Sequence, residues 1–256
     1  MSMDFGSELR SWRARRRVSQ LDLGLGAHVS ARHISFLETG RARPSRDMVL
    51  RLAAELSVPP SACNRLLTAA GHAPAFAERA LEAPEMAPVR AVVDWMLDRH
   101  APYPAFALDR AWRLVRLNGP AERLFGAVGL GPGDGLAQAL AAHQGVRGAL
   151  ENFEEVAAHA LARLRTENAH LGGDAELEAA IAALSEAAPA SSDGAALRPA
   201  FVPARWRLGE ATLSLLSTLA QFGAAEDVAL ADLKIELMFP ADDPSRQLLE
   251  AMAEAP

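Results

Sequence analysis

Apolar residues in the first third of the chain recur at helical spacing. Phe5, Leu9 and Trp12 fall at i, i+4 and i+7, one stripe that predicts a helix over 5–17. Arg10, Arg13, Arg15, Arg16 and Arg17 cover the rest of its surface. Ser19 is an N-cap candidate for a short segment with Leu21, Leu23 and Leu25 that runs to about Ala27. Ser30 opens a third helix through Glu38, with Ile34 and Leu37 inward, and Gly40 suits its C′ position. Pro44-Ser45 starts a fourth, whose stripe is Met48, Val49, Leu52, Ala53 and Leu56, and Pro59-Pro60 stops it. A fifth runs from about Ser61 to Ala70 and ends at Gly71.

The pattern then changes. Over 72–90, Pro74, Pro84 and Pro88 stand among Ala and Glu, which reads as a linker. A helix with Val89, Val92, Val93 and Met96 follows to Arg99. Phe106-Ala107-Leu108 and Trp112 to Leu117 predict two strands joined at Asp109-Arg110-Ala111, and Asn118 caps a short helix through Phe125. The Gly-rich stretch 126–135 lacks a phosphate-loop Lys and reads as a connection. Helix dominates 136–188, followed by a loop over 189–200. Val202–Leu208 and Ala211–Phe222 predict an antiparallel pair turning at Gly209-Glu210, and Leu233–Phe239 a last strand ending at Pro240. The expected architecture is multidomain: an all-α five-helix domain over 1–72, a linker over 73–90, and over 91–256 an α+β domain with an antiparallel sheet of about five strands and flanking helices.

Composition narrows the function classes. Of 256 residues, 54 are Ala, which favours helix. The single Cys63 excludes a disulfide framework and any Cys-based zinc site, and reads as a small core residue. No run of 18 apolar residues exists, and no apolar segment follows the Arg-rich start, so the expected compartment is the cytoplasm with no membrane partner. Charge divides unevenly. Residues 1–80 hold twelve Arg, no Lys and seven acids, a net +5, whereas the remainder is net −11. A basic head on an acidic body suits a DNA-binding module joined to something else.

The segment Ser19-Gln20-Leu21-Asp22-Leu23-Gly24, then Val29 to Arg41, resembles helix-turn-helix regulators of the phage-repressor (XRE) type, over roughly residues 5–70. Two short helices joined by three residues need a small residue where their axes meet, and Gly24 supplies it. His28 stands where the turn of this family usually has Gly, and His tolerates a left-handed backbone better than most residues. The resemblance implies that the helix after the turn enters the major groove of double-stranded DNA. Ser30, Ala31, Arg32, Ser35 and Phe36 then face base edges, with Arg32 suited to guanine O6 and N7. Gln20 matches a family position that meets a phosphate, Arg41 and Arg43 suit the backbone, and Arg13 and Glu38 match a structural ion pair.

Ala107 to Asn118 resembles the opening strands of a PAS-like domain. Leu215 to Val228 and Ile235 to Pro240 are similar to the ligand-binding half of MmyB-like transcription regulators. That resemblance, over about 90–250, implies a sensor for a small apolar ligand such as a fatty acid, and no other cofactor. A curved sheet packed by helices can hold such a cavity. Its candidate lining is Phe106, Leu108, Trp112, Leu114, Phe125, Phe153, Leu213, Leu215, Leu237 and Phe239, with Arg205 and Arg207 as candidates for a carboxylate head group. Each apolar residue among these, taken singly, reads more readily as core. No nucleophile elbow or metal-ligand cluster is visible, so catalysis is not expected. The expected protein is a homodimeric, sequence-specific regulator controlled by a ligand. The alternative is a DNA-binding protein whose tail serves only dimerisation or partner docking.

Overall fold

The computed structural model describes residues 4–187, 201–223 and 227–254. They form two compact units, one comprising 4–78 with 168–174 and 227–228, the other holding the remainder.

The first unit contains α1 (Phe5–Arg15), α2 (Gln20–Gly26), α3 (Ala31–Glu38), α4 (Arg46–Glu55) and α5 (Pro60–Ala69), the five helices expected. Local chemistry sets their boundaries. Asp4, Ser19, Ser30 and Ser45 each accept a backbone N–H from the third residue on, at 3.1–3.2 Å. Each such cap contributes roughly 0.5–2 kcal/mol. α5 starts on Pro60, whose missing N–H costs nothing at that position. Every one of the five helices then ends in the same way. Arg17, His28, Gly40, Ser57 and Gly71 occupy the C′ positions with φ between 47° and 83°. The next residue in each case donates its N–H back to a carbonyl five residues earlier: Val18 to Arg13, Val29 to Gly24, Arg41 to Phe36, Val58 to Ala53 and His72 to Leu67, at 2.8–3.1 Å. These are Schellman closures, and Val18, Val29 and Val58 pack on the core as they leave the helix. That core is Phe5, Leu9, Trp12, Leu23, Ile34, Leu37, Val49, Leu52, Leu56, Leu66 and Leu67, with Cys63 among them. Burial pushes the Cys63 thiol up from its ordinary pKa.

Three of those five C′ residues carry a side chain in a backbone region that suits glycine. Arg17→Gly, His28→Gly and Ser57→Gly are each expected to raise the stability of this unit by about 0.5–1 kcal/mol. The urea midpoint of each variant checks this, with the slope of the transition unchanged.

The second unit contains, in chain order, α6 (Ala87–Arg99), β1 (Ala105–Leu108), β2 (Leu114–Leu117), α7 (Gly119–Gly126), α8 (Leu136–Ala142), α9 (Gln144–Ala149), α10 (Phe153–Leu171), α11 (Ala175–Ala187), β3 (Ala204–Leu208), β4 (Ala211–Gln221), α12 (Val228–Ala231), β5 (Lys234–Pro240) and α13 (Asp243–Glu254), although the end of α10 and the start of α12 group with the first unit. The five strands form one antiparallel sheet in the order β2-β1-β5-β4-β3. On one face, Val93 and Leu97 of α6 pack on Ala105, Ala107 and Ile235. Asn118, 2% exposed, caps α7 as expected. Its Oδ1 accepts from Ala105 and Ala121, and its Nδ2 donates to the carbonyls of Leu97 and Tyr103, so all of this buried amide's main hydrogen-bonding capacity is used.

Three expectations change. α6 begins at Ala87, inside the stretch read as linker, after a 3₁₀ turn at Pro84–Met86 whose Met86 is buried. β2 begins at Leu114 and not at Trp112, because Trp112 has φ 62° and its N–H closes a turn onto the Asp109 carbonyl. α13 follows Pro240, where no element was expected. The loop expected over 189–200 lies outside the described residues, and its neighbours Phe201–Pro203 are irregular.

Candidate functional sites

In the first unit, six of the arginines fall into two groups. Arg10, Arg13 and Arg16 are committed to the protein. Arg13 makes a two-point contact to Glu38, at 2.6 and 3.0 Å, and Arg10 approaches the same carboxylate at 3.5 Å. Arg16 donates to the carbonyls of Leu56 and Ser57 at the end of α4, both at 2.9 Å. Burial alone would push the Glu38 carboxyl up. Hydrogen bonds from Arg13 and Gln20, and the charges of Arg13 and Arg10, outweigh it and hold the group below its ordinary value. Gln20, assigned to a phosphate by the resemblance, thus has its amide on Glu38 at 2.8 Å.

Arg32, Arg41 and Arg43 form the other group. All three are exposed and make no ion pair among the described residues. Arg32 and Arg41 both lie against the Phe36 ring, their guanidinium carbons 5.2 and 6.0 Å from its centre. A ring between two cations limits where each can point. Ser30 is exposed and its hydroxyl caps α3. Ala31 and Ser35 are half-buried on the same helix. α3 therefore offers a short polar N-terminal turn followed by an Arg-Phe-Arg cluster, a surface suited to base edges and phosphates. Gly24 sets the approach of this helix. A Cβ there would meet the Val29 carbonyl oxygen at 2.7 Å and the Ala31 nitrogen at 3.1 Å, both backbone.

In the second unit, the sheet and its helices form a partly open cavity of about 270 Å³. That is at the small end for ligand pockets, which run from about 300 Å³ upward. Strand alternation builds one wall. Phe106 of β1 pairs with Glu236 of β5, Met238 of β5 with Ser217 of β4, and Ala204 of β3 with Leu215 of β4, and all six line the cavity. α10 builds another with Val156, His159, Ala160 and Arg163, spaced as one helix face. Trp112, Phe125, Leu136, Leu140, Val146, Leu150, Phe201 and Trp206 complete most of the rest.

Two of the lining residues, Arg163 and Glu236, belong to an ion network whose other members, Glu167 and Lys234, are outside the lining. Arg163 bridges Glu236, which also accepts from the Ser217 hydroxyl, and Glu167, at 3.0 Å. Lys234, 4% exposed, reaches Glu167 at 2.8 Å, as does the Trp112 indole N–H at 2.7 Å. The Arg163 guanidinium and Lys234 ammonium lie 4.6 and 5.6 Å from the Trp112 ring centre. Burial pushes the Glu167 carboxyl up, but Lys234, the Trp112 hydrogen bond and Arg163 outweigh it and hold it low. Burial also holds the Lys234 ammonium below its ordinary value, against the pull of Glu167. Two N–H donors of lining residues, Arg163 Nη2 and Trp206 Nε1, are themselves fully covered and have no hydrogen-bond partner among the described residues. Leaving such a donor unpaired costs about 1–3 kcal/mol. Among the described residues, no cluster of His, Cys, Asp or Glu stands ready to hold a metal.

Residues 89–252 match the MmyB-like transcription regulator ligand binding domain, which is more than half of the chain. The chain belongs to that family. Residues 4–66 match a helix-turn-helix domain. The chain thus joins a helix-turn-helix domain to a MmyB-like transcription regulator ligand binding domain. The uncharacterized HTH-type transcriptional regulator RghRB of Bacillus subtilis (strain 168) is 38% identical over 82 residues, 32% of this chain and 57% of the relative, so the chain spans little more than half the length of that protein. No helix among the described residues is long and apolar enough to cross a membrane.

Of the ten residues proposed from sequence for the cavity of this MmyB-like regulator, Phe106, Trp112, Phe125 and Leu215 line it. The other six lie elsewhere. Leu237 and Phe239 alternate with Glu236 and Met238 and so face the opposite side of β5. Leu237 packs with the α6 cluster, and Phe239, 39% exposed, lies edge-on to His100. Leu108 and Leu114 pair across the β1–β2 bulge and are fully buried. Leu213 faces Pro104, Leu124 and Leu249. Phe153 lies under the Arg147 guanidinium at 4.6 Å. Arg205 and Arg207 are outside the cavity lining. Sequence reasoning missed Arg163, Ser217, Trp206 and Glu236. A signal existed: Lys234 and Glu236 interrupt an otherwise apolar strand, and Arg163 continues the spacing of Val156 and Ala160.

Proposed function

We propose that this protein is a one-component regulator that binds specific double-stranded DNA as a homodimer and responds to a small, largely apolar ligand. The observation that carries the proposal is the apolar cavity in the domain joined to the helix-turn-helix. In this reading α3 enters the major groove. Ser30, Ala31, Arg32, Ser35 and Phe36 meet base edges, while Arg41 and Arg43 meet phosphates. That Arg32, Arg41 and Arg43 have no acidic partner among the described residues supports this. Gln20 acts indirectly, by steadying Glu38. Val92 and Trp95, 47% and 61% exposed on α6, support pairing of two copies. The apolar lining suits an acyl-type chain. The domains divide between residue 72 and the start of α6 at Ala87, and the protein works in the cytoplasm and without catalysis. Ligand control requires different affinities for DNA-competent and incompetent arrangements.

The test begins with a duplex site selected in vitro from random DNA. Arg32→Ala is expected to weaken that site by about 1–3 kcal/mol, or roughly 5- to 150-fold, with little change on random DNA. Arg43→Ala is expected to weaken both equally and to lower the salt dependence by about one ion. Fluorescence anisotropy over a salt series separates them. Equal, sequence-independent losses for both variants would refute base reading by Arg32.

A further inference from the structure

Backbone geometry brings Arg32 and Arg41 onto one ring from opposite directions. Arg32 stands four residues before Phe36 on α3, so the two side chains share a helix face one turn apart. Arg41 comes from beyond the helix. Gly40 takes φ 71°, and the Arg41 N–H then donates to the Phe36 carbonyl at 2.8 Å, the closure that ends α3. In such a closure the side chains of these two residues commonly make an apolar contact. The corresponding position after the other four helices of this unit holds Val18, Val29, Val58 or His72. After α3 it holds an arginine, and the side chain opposite is an aromatic ring, which attracts a cation. The guanidinium carbons of Arg32 and Arg41 lie 5.2 and 6.0 Å from the centre of this half-buried ring. Neither arginine has an ion pair among the described residues.

From this we propose that Phe36 is a positioning residue of the DNA interface: its ring seats Arg32 for a base edge and Arg41 for a phosphate, and it contributes more through these two cations than through a base contact of its own. The inference rests on the reading of α3 as the helix that meets DNA and specifies how two of its cations are held. A free arginine side chain surrenders rotamer freedom when it docks, and one already held against a ring surrenders less. A carboxylate would hold an arginine as firmly, but it would also cancel the charge that attracts phosphate. The ring holds both cations and leaves their charge available. It also ties the first turn of α3 to the residue that follows the helix, so the two guanidiniums keep a constant separation.

The experiment uses the full chain and the duplex selected in vitro from random DNA, with fluorescence anisotropy over a salt series and circular dichroism as the check on folding. Phe36→Leu keeps an apolar side chain and removes the ring. It is expected to weaken the selected duplex about tenfold with the salt dependence unchanged, because no charge is lost. Phe36→Tyr keeps the ring and is expected to bind within about twofold of the unaltered protein. In an Arg32→Ala or an Arg41→Ala background, Phe36→Leu is expected to cost only about threefold, because one of the two cations it seats is gone. A loss of about tenfold in both backgrounds would overturn the proposal and leave Phe36 as an independent base contact on a DNA-contacting α3. A loss below about twofold for Phe36→Leu in the unaltered protein would overturn it as well. Binding unchanged by Arg32→Ala and by Arg41→Ala would instead remove the reading of α3 itself, and the proposal with it. Phe36→Met, also without a ring, takes the place of Phe36→Leu throughout if the leucine variant does not fold.

Discussion

Arg13→Ala is expected to cost the helix-turn-helix unit about 3–5 kcal/mol, the usual penalty for removing one partner of a buried ion pair. The Glu38 side chain is 1% exposed, and Arg13 supplies its two-point contact. Arg10 and Gln20 reach only one of its oxygens, so they do not replace the lost pair. The pH dependence carries a sign. Glu38 titrates below its ordinary value of 4.5 in the folded protein, so its contribution is complete above that value. It fades as the pH falls through the folded pKa. Arg13→Ala is expected to flatten this acid limb, because burial then dominates the carboxyl and raises its pKa. Adding Glu38→Gln to Arg13→Ala is expected to restore part of the loss by removing the stranded charge. Urea unfolding of the single and double variants across pH 3–7 reads all of this. A loss below 1 kcal/mol for Arg13→Ala would mean that the pair contributes no more than an exposed one does.

Gly24→Val is expected to abolish specific DNA binding and to destabilise the same unit by about 2–3 kcal/mol. The new side chain has only backbone to push against, namely the Val29 carbonyl and the nitrogen of Ala31. Neither can swing aside as a side chain could, so α3 itself must move away from α2. A shift on the order of 1 Å in a recognition helix breaks hydrogen bonds to base edges while the helices persist. Gly26→Ala is the control on the same helix. The atoms nearest its added methyl belong to the flexible end of Glu55, and it removes a helical glycine. Circular dichroism at low temperature would establish that both variants are folded, and anisotropy on the selected duplex would separate them. Normal binding by folded Gly24→Val would exclude close packing at this point as the device that positions α3.

The helices of the first unit were legible because their ends are written locally. Ser19, Ser30 and Ser45 cap through their own side chains, and the left-handed residues at Gly40 and Gly71 follow directly in sequence. His28 shows the same logic with a less obvious residue, since it takes the positive φ that the turn demands. The strand order and the face of β5 were not legible. Lys234 to Met238 are buried or nearly so on both sides of the sheet, so no alternation of exposure marks which residues face the cavity. The bulge between Ala107 and Leu108 and the turn at Trp112 broke the phase of the two strands before it. Charged residues in apolar stretches carried the missing information. Arg163 and Glu236 stand 73 positions apart in the chain, and Glu167 and Lys234 stand 67 apart, a proximity no local pattern expresses.

The place of β5 in the sheet also sets an order of events during synthesis. This strand emerges last and yet lies in the middle, between β1 and β4, so the two strand pairs have no shared sheet until residue 240 has been made. The five N-terminal helices close on one another within residues 5–69. At about 5–20 residues per second, the intervening stretch takes on the order of 8–35 s to translate. Contacts of that span also form slowly once available. Each newly made chain therefore passes through a period in which its five N-terminal helices are complete and the cavity of its second unit does not yet exist.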